Sequence, residues 1–230
     1  HFEVYRQAGI NRISIGVQST HDRLLRSLGR IHNGADCEEA IQMAKQSGFK
    51  DISCDLIFGI PQIGEEPGET FEELQEDLER VTEWGAMHVS AYSIIVEDNT
   101  PLNTYFQKKQ AQEIDGGLER QMYYSIRKYL NTKKIYQYEI SNYAKKFYKS
   151  RHNLKYWECL PYLGLGLGAS SYYPAEKGSS HCDYIREKNT DILKDYCMGL
   201  YGGKKERISI EEQMDEFMML GFRKIKGPSP

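Results

Sequence analysis

The chain has 230 residues and a net charge of −3, with 30 lysines and arginines against 33 aspartates and glutamates. That length allows one large domain or two modest ones, and the near-balanced charge with a pI of about 6.1 gives no electrostatic case for nucleic acid or an anionic membrane as partner. No apolar run approaches membrane-spanning length, and the opening HFEVYRQAGI lacks the basic segment and apolar core of a signal peptide, so the expected location is cytoplasmic.

In chain order, Ile13, Ile15 and Val17 alternate with smaller or polar residues, which predicts a strand over Arg12–Val17 delivering Gln18 to its carboxyl end. A helix is expected at about His21–Leu28, with Ser19 and Asp22 placed to cap it. A second is expected at about Ala35–Ser47, closed by Gly48. The next strand is Asp51–Phe58. Its helix begins at Thr70, with Glu73 in capping-box position, and carries Phe71, Leu74, Leu78 and Val81 on one face until Gly85 stops it. A third strand is expected over His88–Val96.

Strands alternating with helices imply right-handed βαβ units and a parallel sheet, whose ligands sit at the carboxyl ends of the strands. Gln18, Asp55 and the Ser93 region gather there, and Arg30, just past the helix break at Gly29, is placed to fold over the same edge. Asp55 stands in an otherwise apolar strand, where a carboxylate needs a partner or ligand; Arg30 reads equally well as a surface ion-pair former. Three such units make neither a closed barrel nor a full doubly wound sheet. The expectation is a piece of a longer protein whose first strand presents an open edge, and that edge favours self-association.

After residue 110 the pattern changes. Ile114–Asn131 reads as a helix, with Leu118, Met122, Ile126 and Leu130 spaced by four, and Ile135–Ile140 as a strand. SRHNLKYW (150–157) and YLGLGLGASSYY (162–173) read as loops rich in glycine and aromatics. Helices are expected near Thr190–Leu200 and Ile210–Lys224. GLGLGA (164–169) lacks the strand, helix and acidic residue that a dinucleotide fingerprint needs; a turn allowing close backbone approach accounts for it. The five cysteines, 37, 54, 159, 182 and 197, have long spacings that spell neither a disulfide framework nor a metal cluster. Several of the 17 tyrosines crowd into Tyr136–Tyr173, where a flat aromatic ligand would find stacking surfaces.

GVQS (16–19), LGRIH (28–32), DLIFGIP (55–61), HVSAYS (88–93), YEISNYA (138–144), RHNLKYW (151–157) and YLGLGLGASSY (162–172) come in the order of one group. The chain resembles the radical S-adenosylmethionine proteins of the oxygen-independent coproporphyrinogen III oxidase-like family, and within it the HemW haem-chaperone branch. The resemblance covers nearly the whole chain. It implies an α/β fold: the C-terminal half of a partial parallel (β/α)6 radical-SAM barrel, residues 1–110, followed by a smaller α+β region, residues 111–230. It also implies S-adenosylmethionine and a [4Fe–4S] cluster in the intact protein. The family's C-x-x-x-C-x-x-C segment has no counterpart in this sequence, so no cluster ligands and no radical chemistry are expected from this stretch alone.

By the same resemblance, the cofactor contacts map onto Gln18, Arg30 and Asp55. Their chemistry suits the molecule: a carboxylate accepts from hydroxyls, a guanidinium forks onto a carboxylate, and an amide does either. The HNxxYW pattern, associated in this family with haem, falls on His152, Asn153, Tyr156 and Trp157. His152 is then the candidate ligand to haem iron, against the alternative of a structural hydrogen bonder. His32 is a weaker candidate near the cofactor edge. Two departures stand out. Ala169-Ser170-Ser171 replaces the family's histidine-bearing loop, and the acidic QIGEEPGET (62–70) is longer than the family's turn beside the cofactor edge. The function implied is haem binding and delivery to an unspecified acceptor protein; the alternative is oxidative decarboxylation of coproporphyrinogen III.

Overall fold

The computed structural model describes residues 1–175 and 183–228, in two compact units that divide between Lys149 and Ser150. Cys182 lies outside the described residues.

The first unit runs α1 (Phe2–Gln7), β1 (Arg12–Gln18), α2 (Asp22–Ser27), α3 (Gly34–Gln46), β2 (Asp51–Phe58), β3 (Gln62–Ile63), α4 (Phe71–Glu83), β4 (His88–Ser93), α5 (Pro101–Gln107), β5 (Ala111–Gln112), α6 (Gly116–Thr132), β6 (Tyr136–Gln137) and β7 (Asn142–Ala144). Its main sheet has the order β1-β2-β4-β7-β6, with β1, β2 and β4 parallel and β7 antiparallel to both neighbours. Period-2 alternation sends Cys54, Leu56, Phe58, Val89 and Ala91 into the apolar core with Leu78 and Val81 of α4 and Met122 and Ile126 of α6. The other face carries Ser14, Ser53, Asp55, His88 and Ser90, joined across strands by the registers Ser14↔Ser53, Ser53↔His88 and Asp55↔Ser90.

Several local expectations need revision. Ser19 does not cap α2: its hydroxyl accepts from the His21 amide, and Asp22 instead accepts from Gly34 N–H at the start of α3. The box on α4 forms as the pattern predicts, with Thr70 and Glu73 exchanging hydrogen bonds, and Arg23 grips the same glutamate. The strand expected over 135–140 is broken. Glu139 is buried and accepts from Ser141 N–H at 2.9 Å and from the Asn142 side chain, which turns β6 into β7. The unit boundary also falls later than residue 110, because α6 buries Met122, Ile126 and Leu130 in the first core and β7 extends its sheet.

The second unit holds α7 (Arg151–Trp157), β8 (Ser170–Pro174), β9 (Tyr184–Lys188), α8 (Leu193–Cys197), β10 (Lys205–Ile208) and α9 (Ile210–Gly221). Both stretches read as loops contain regular structure. Ser150 caps α7 by accepting from Asn153 N–H, making RHNLKYW a helix. SSYYP is the edge of an antiparallel sheet ordered β10-β9-β8. A strand, not a helix, therefore follows the glycine-rich segment. A Cβ on Gly164 would stand 2.2 Å from the Ser170 carbonyl oxygen, so the glycine permits a close backbone approach. Arg186 of β9 reaches Glu216 of α9 through two hydrogen bonds of 2.7 and 2.9 Å, tying sheet to helix.

Candidate functional site

In the first unit, chemistry-bearing residues collect around the carboxyl ends of β1, β2 and β4. Gln18 ends β1 with φ +66°, a left-handed conformation that costs a non-glycine residue free energy and concentrates at functional sites. The sheet register slips between Gly16 and Gln18, and a Cβ on Gly16 would stand 2.6 Å from Gln18 Nε2. The glutamine amide thus folds back over Gly16, whose register partner is Asp55. Glycine at 16 is what lets it do so.

Asp55 is half-buried. Ser14 Oγ donates to both its oxygens, at 3.0 and 2.8 Å, and Ser53 Oγ lies 3.4 Å from Oδ1. This answers the anomaly of a carboxylate in an apolar strand: the polar face of the sheet supplies donors, and capacity remains for a ligand. Arg30 is exposed and follows Gly29, whose φ is +68°; the Arg30 amide donates to Leu25 O at 2.9 Å. Its guanidinium has no protein partner among the described residues, so the surface ion-pair reading finds no pair. Close by in sequence, His32 Nε2 lies 3.3 Å from the Val17 carbonyl oxygen, a contact that pins this loop to the end of β1. Sequence register thus brings Gln18 and Asp55 together, while Arg30 lies on the loop that His32 pins.

Other groups at this edge escaped the sequence reading. Glu69, in the long acidic loop, is buried and accepts from Gly59 N–H at 2.7 Å and Ile60 N–H at 3.3 Å. Burial, with Asp77 adding to it, pushes its carboxyl up to about 8 against the lowering effect of those two amides. Asp77 of α4 accepts from the amide and hydroxyl of Thr20 at 2.7 and 2.6 Å, fixing the turn that follows Gln18. Ser93, expected at the site edge, donates to Glu119 of α6. Phe58, Ser93, Glu119, Tyr123 and Ile140 line a cavity of about 480 Å³. The one sequence signal for Glu69 was the unusual length of its loop; Glu119 left no signal, since α6 reads as an ordinary amphipathic helix.

In the second unit, helical geometry sorts the HNxxYW residues. His152 and Tyr156 sit one turn apart, their rings edge-to-face at 4.9 Å; Asn153 and Trp157 form the neighbouring pair. His152 is exposed and, with Arg151, Leu154, Lys155, Glu158 and Leu160, lines a cavity of about 350 Å³. Tyr156 and Trp157 instead line a second cavity of about 340 Å³, with Tyr162, Tyr172, Arg186 and Glu216 among its other walls. The Arg223 guanidinium lies 4.4 Å from the Trp157 ring centroid, a cation–π contact, and Trp157 Nε1 is buried with no acceptor among the described residues. The backbone N–H of Asn153 serves the Ser150 cap. The four residues therefore do not share one surface.

Residues 1–81 match the Radical SAM superfamily model. The chain is 34% identical, over 99% of its length and 57% of the relative's, to the haem chaperone HemW of Bacillus subtilis. It is 33% identical to the bovine mitochondrial radical S-adenosyl methionine domain-containing protein 1, over 94% of its own length and 48% of the relative's. Residues 1–81 carry a radical SAM superfamily domain. The chain spans about half the length of these curated relatives. Among solved structures, the radical SAM enzyme coproporphyrinogen III oxidase (HemN) of Escherichia coli superposes with a TM-score of 0.64 at 19% identity, covering 90% of this chain and 48% of that one. That similarity establishes the shared α/β fold. A domain of this superfamily implies S-adenosylmethionine and a [4Fe–4S] cluster as cofactors. Among the described residues no helix is long and apolar enough to cross a membrane.

Proposed function

We propose that the intact protein is a haem chaperone of the HemW type, binding haem and passing it to an acceptor protein, and that it works in the cytoplasm. The observation carrying this reading is the exposure of His152 on α7, beside an edge-on tyrosine and between the cations Arg151 and Lys155. An accessible imidazole is a common haem-iron ligand. Trp157, held under Arg223, serves instead to anchor the helix.

The same proposal assigns Gln18, Arg30 and Asp55 to S-adenosylmethionine. The donor set fits: Asp55 accepts from ribose hydroxyls, the Arg30 guanidinium forks onto the methionyl carboxylate, and the Gln18 amide is pre-bent toward the same edge. When bound together with a reduced cluster, this cofactor supplies radical chemistry. The described residues do not fit the cluster itself, since no three histidine, cysteine, aspartate or glutamate side chains gather to hold a metal. Burial raises the thiols of Cys37 and Cys54 away from the thiolate form a cluster needs. The oxidase reading shares the sheet but draws nothing from α7.

A haemin titration followed by visible absorbance, with the parent chain and His152→Ala side by side, tests the chaperone reading. Saturable binding by the parent, weakened about tenfold or more in the variant, is expected. Equal binding by both overturns the assignment of His152, and formation of protoporphyrinogen by the cluster-loaded intact protein overturns the chaperone reading in favour of the oxidase.

A further inference from the structure

The polar face of the first unit's sheet carries a connected line of hydrogen bonds. Tyr138 Oη lies 2.8 Å from His88 Nε2, His88 Nδ1 lies 2.7 Å from Ser53 Oγ, and Ser53 Oγ lies 3.4 Å from Asp55 Oδ1. Tyr138, His88 and Ser53 are buried; Asp55, at the end of the line on β2, is half-buried.

Using all three contacts as hydrogen bonds at once allows one direction for this line. A carboxylate only accepts, so for the 3.4 Å contact to serve as a hydrogen bond Ser53 donates to Asp55. Its single proton is then committed, and toward His88 its oxygen accepts. In that arrangement His88 Nδ1 carries the ring hydrogen, whereas a ring hydrogen on Nε2 would turn the Ser53 hydroxyl toward Nδ1 and away from Asp55. The ring is neutral, because burial, with Arg12 adding to it, pushes its pKa down to about 3, so Nε2 accepts from the Tyr138 hydroxyl. Each link polarises the next in the same sense. A buried histidine in a merely structural role needs partners for both nitrogens; it does not need them aligned toward a half-buried carboxylate with capacity for a ligand.

We propose that His88 is a positioning residue for Asp55: the one-way line Tyr138–His88–Ser53 holds the carboxylate in the orientation that receives a vicinal diol. Ser14 approaches from β1 and shares its hydroxyl between both oxygens, so Ser53 is the donor that favours one orientation. This rests on the reading of Asp55 as a ribose-binding residue of the S-adenosylmethionine site, and it extends that site to three residues which never touch the ligand.

The test uses the intact, cluster-loaded protein and S-adenosylmethionine itself, titrated by calorimetry into the parent, Asp55→Ala, Ser53→Ala, His88→Phe and His88→Asn. Asn places an amide N–H near the position of Nδ1. His88→Phe and Ser53→Ala should each weaken binding about three- to tenfold, the loss of one net hydrogen bond, with His88→Asn recovering most of the loss. In parallel, nitrogen NMR of the parent should show His88 as the Nδ1–H tautomer, its shift changed by Asp55→Asn. No binding by the parent overturns the cofactor reading and the relay with it. Binding abolished by Asp55→Ala but unchanged in His88→Phe and Ser53→Ala overturns the relay alone. An Nε2–H tautomer does the same without any variant having to fold.

Discussion

Glu69 Oε2 accepts from the backbone amide of Gly59 at 2.7 Å, closing the acidic loop against the exit of β2 with a carboxyl held inside the protein. Its folded pKa of about 8 lies above the ordinary 4.5. The folded state therefore keeps a proton that the unfolded chain gives up, and stability falls as pH rises from about 4.5 through 8. Glu69→Gln retains an acceptor for the Gly59 amide and has no charge to bury. Denaturant titrations across pH 5 to 9 should show it gaining on the parent by up to a few kcal/mol at the alkaline end. A constant difference at all pH values would count against a buried, protonated Glu69.

His88 acts in the opposite sense. Its pKa is about 3 when folded, against 6.5 ordinarily, so the unfolded chain binds the extra proton first. The stability this group contributes is complete above pH 6.5 and is lost as pH falls toward 3. His88→Asn should flatten the acid limb of the stability profile. Between about 4.5 and 6.5 the slopes of Glu69 and His88 oppose one another, and the parent should show its mildest pH dependence there. A parent profile as steep in that window as outside it would contradict both assignments.

Gly16→Ala tests the folded-back Gln18. The added methyl meets the far end of a flexible side chain, so the cost in stability should stay under about 1 kcal/mol, while the amide is driven off its place over β1. S-adenosylmethionine affinity of the cluster-loaded protein should fall severalfold, with thermal unfolding nearly unchanged. Unaltered affinity would remove Gln18 from the site.

The two cavities along α7 predict different fates for neighbouring residues. His152→Ala removes an exposed ring and should leave stability within about 0.5 kcal/mol. Trp157→Ala empties the space beneath Arg223 and should cost about 2–3 kcal/mol in the second unit, below the range for a fully buried tryptophan. Chemical denaturation of the two variants makes the comparison. Equal losses would mean that both side chains support the helix.

Local pattern made much of the first unit legible. The alternation in β1 and β2, the box at Thr70 and the four-residue spacing in α6 are short-range signals, and the observed elements follow them. The register that joins Gly16 to Asp55 follows in turn from parallel pairing. What escaped depends on distant partners. Glu139 breaks a strand because it finds Ser141 and Asn142; β7 joins the sheet through pairing with β4, and three residues carry too little pattern to announce that. RHNLKYW lacks a long apolar stripe, and its helix draws on the Ser150 cap and contact with α9. The family pattern joined the HNxxYW side chains, whereas the helix stacks His152 on Tyr156 and turns Trp157 to a neighbouring face, where it and Tyr156 line a different cavity from the one that His152 lines.

Trp84 closes α4 inside the first core, and Trp157 lies beneath Arg223 in the second unit. These are the chain's two indoles, one to each unit, so each unit carries its own fluorophore. With Trp84→Phe in place, the emission that remains reports solely on the helix bearing His152. Haem absorbs where indoles emit, so light lost from that one residue as haemin is added becomes a ruler for the proposed site on α7.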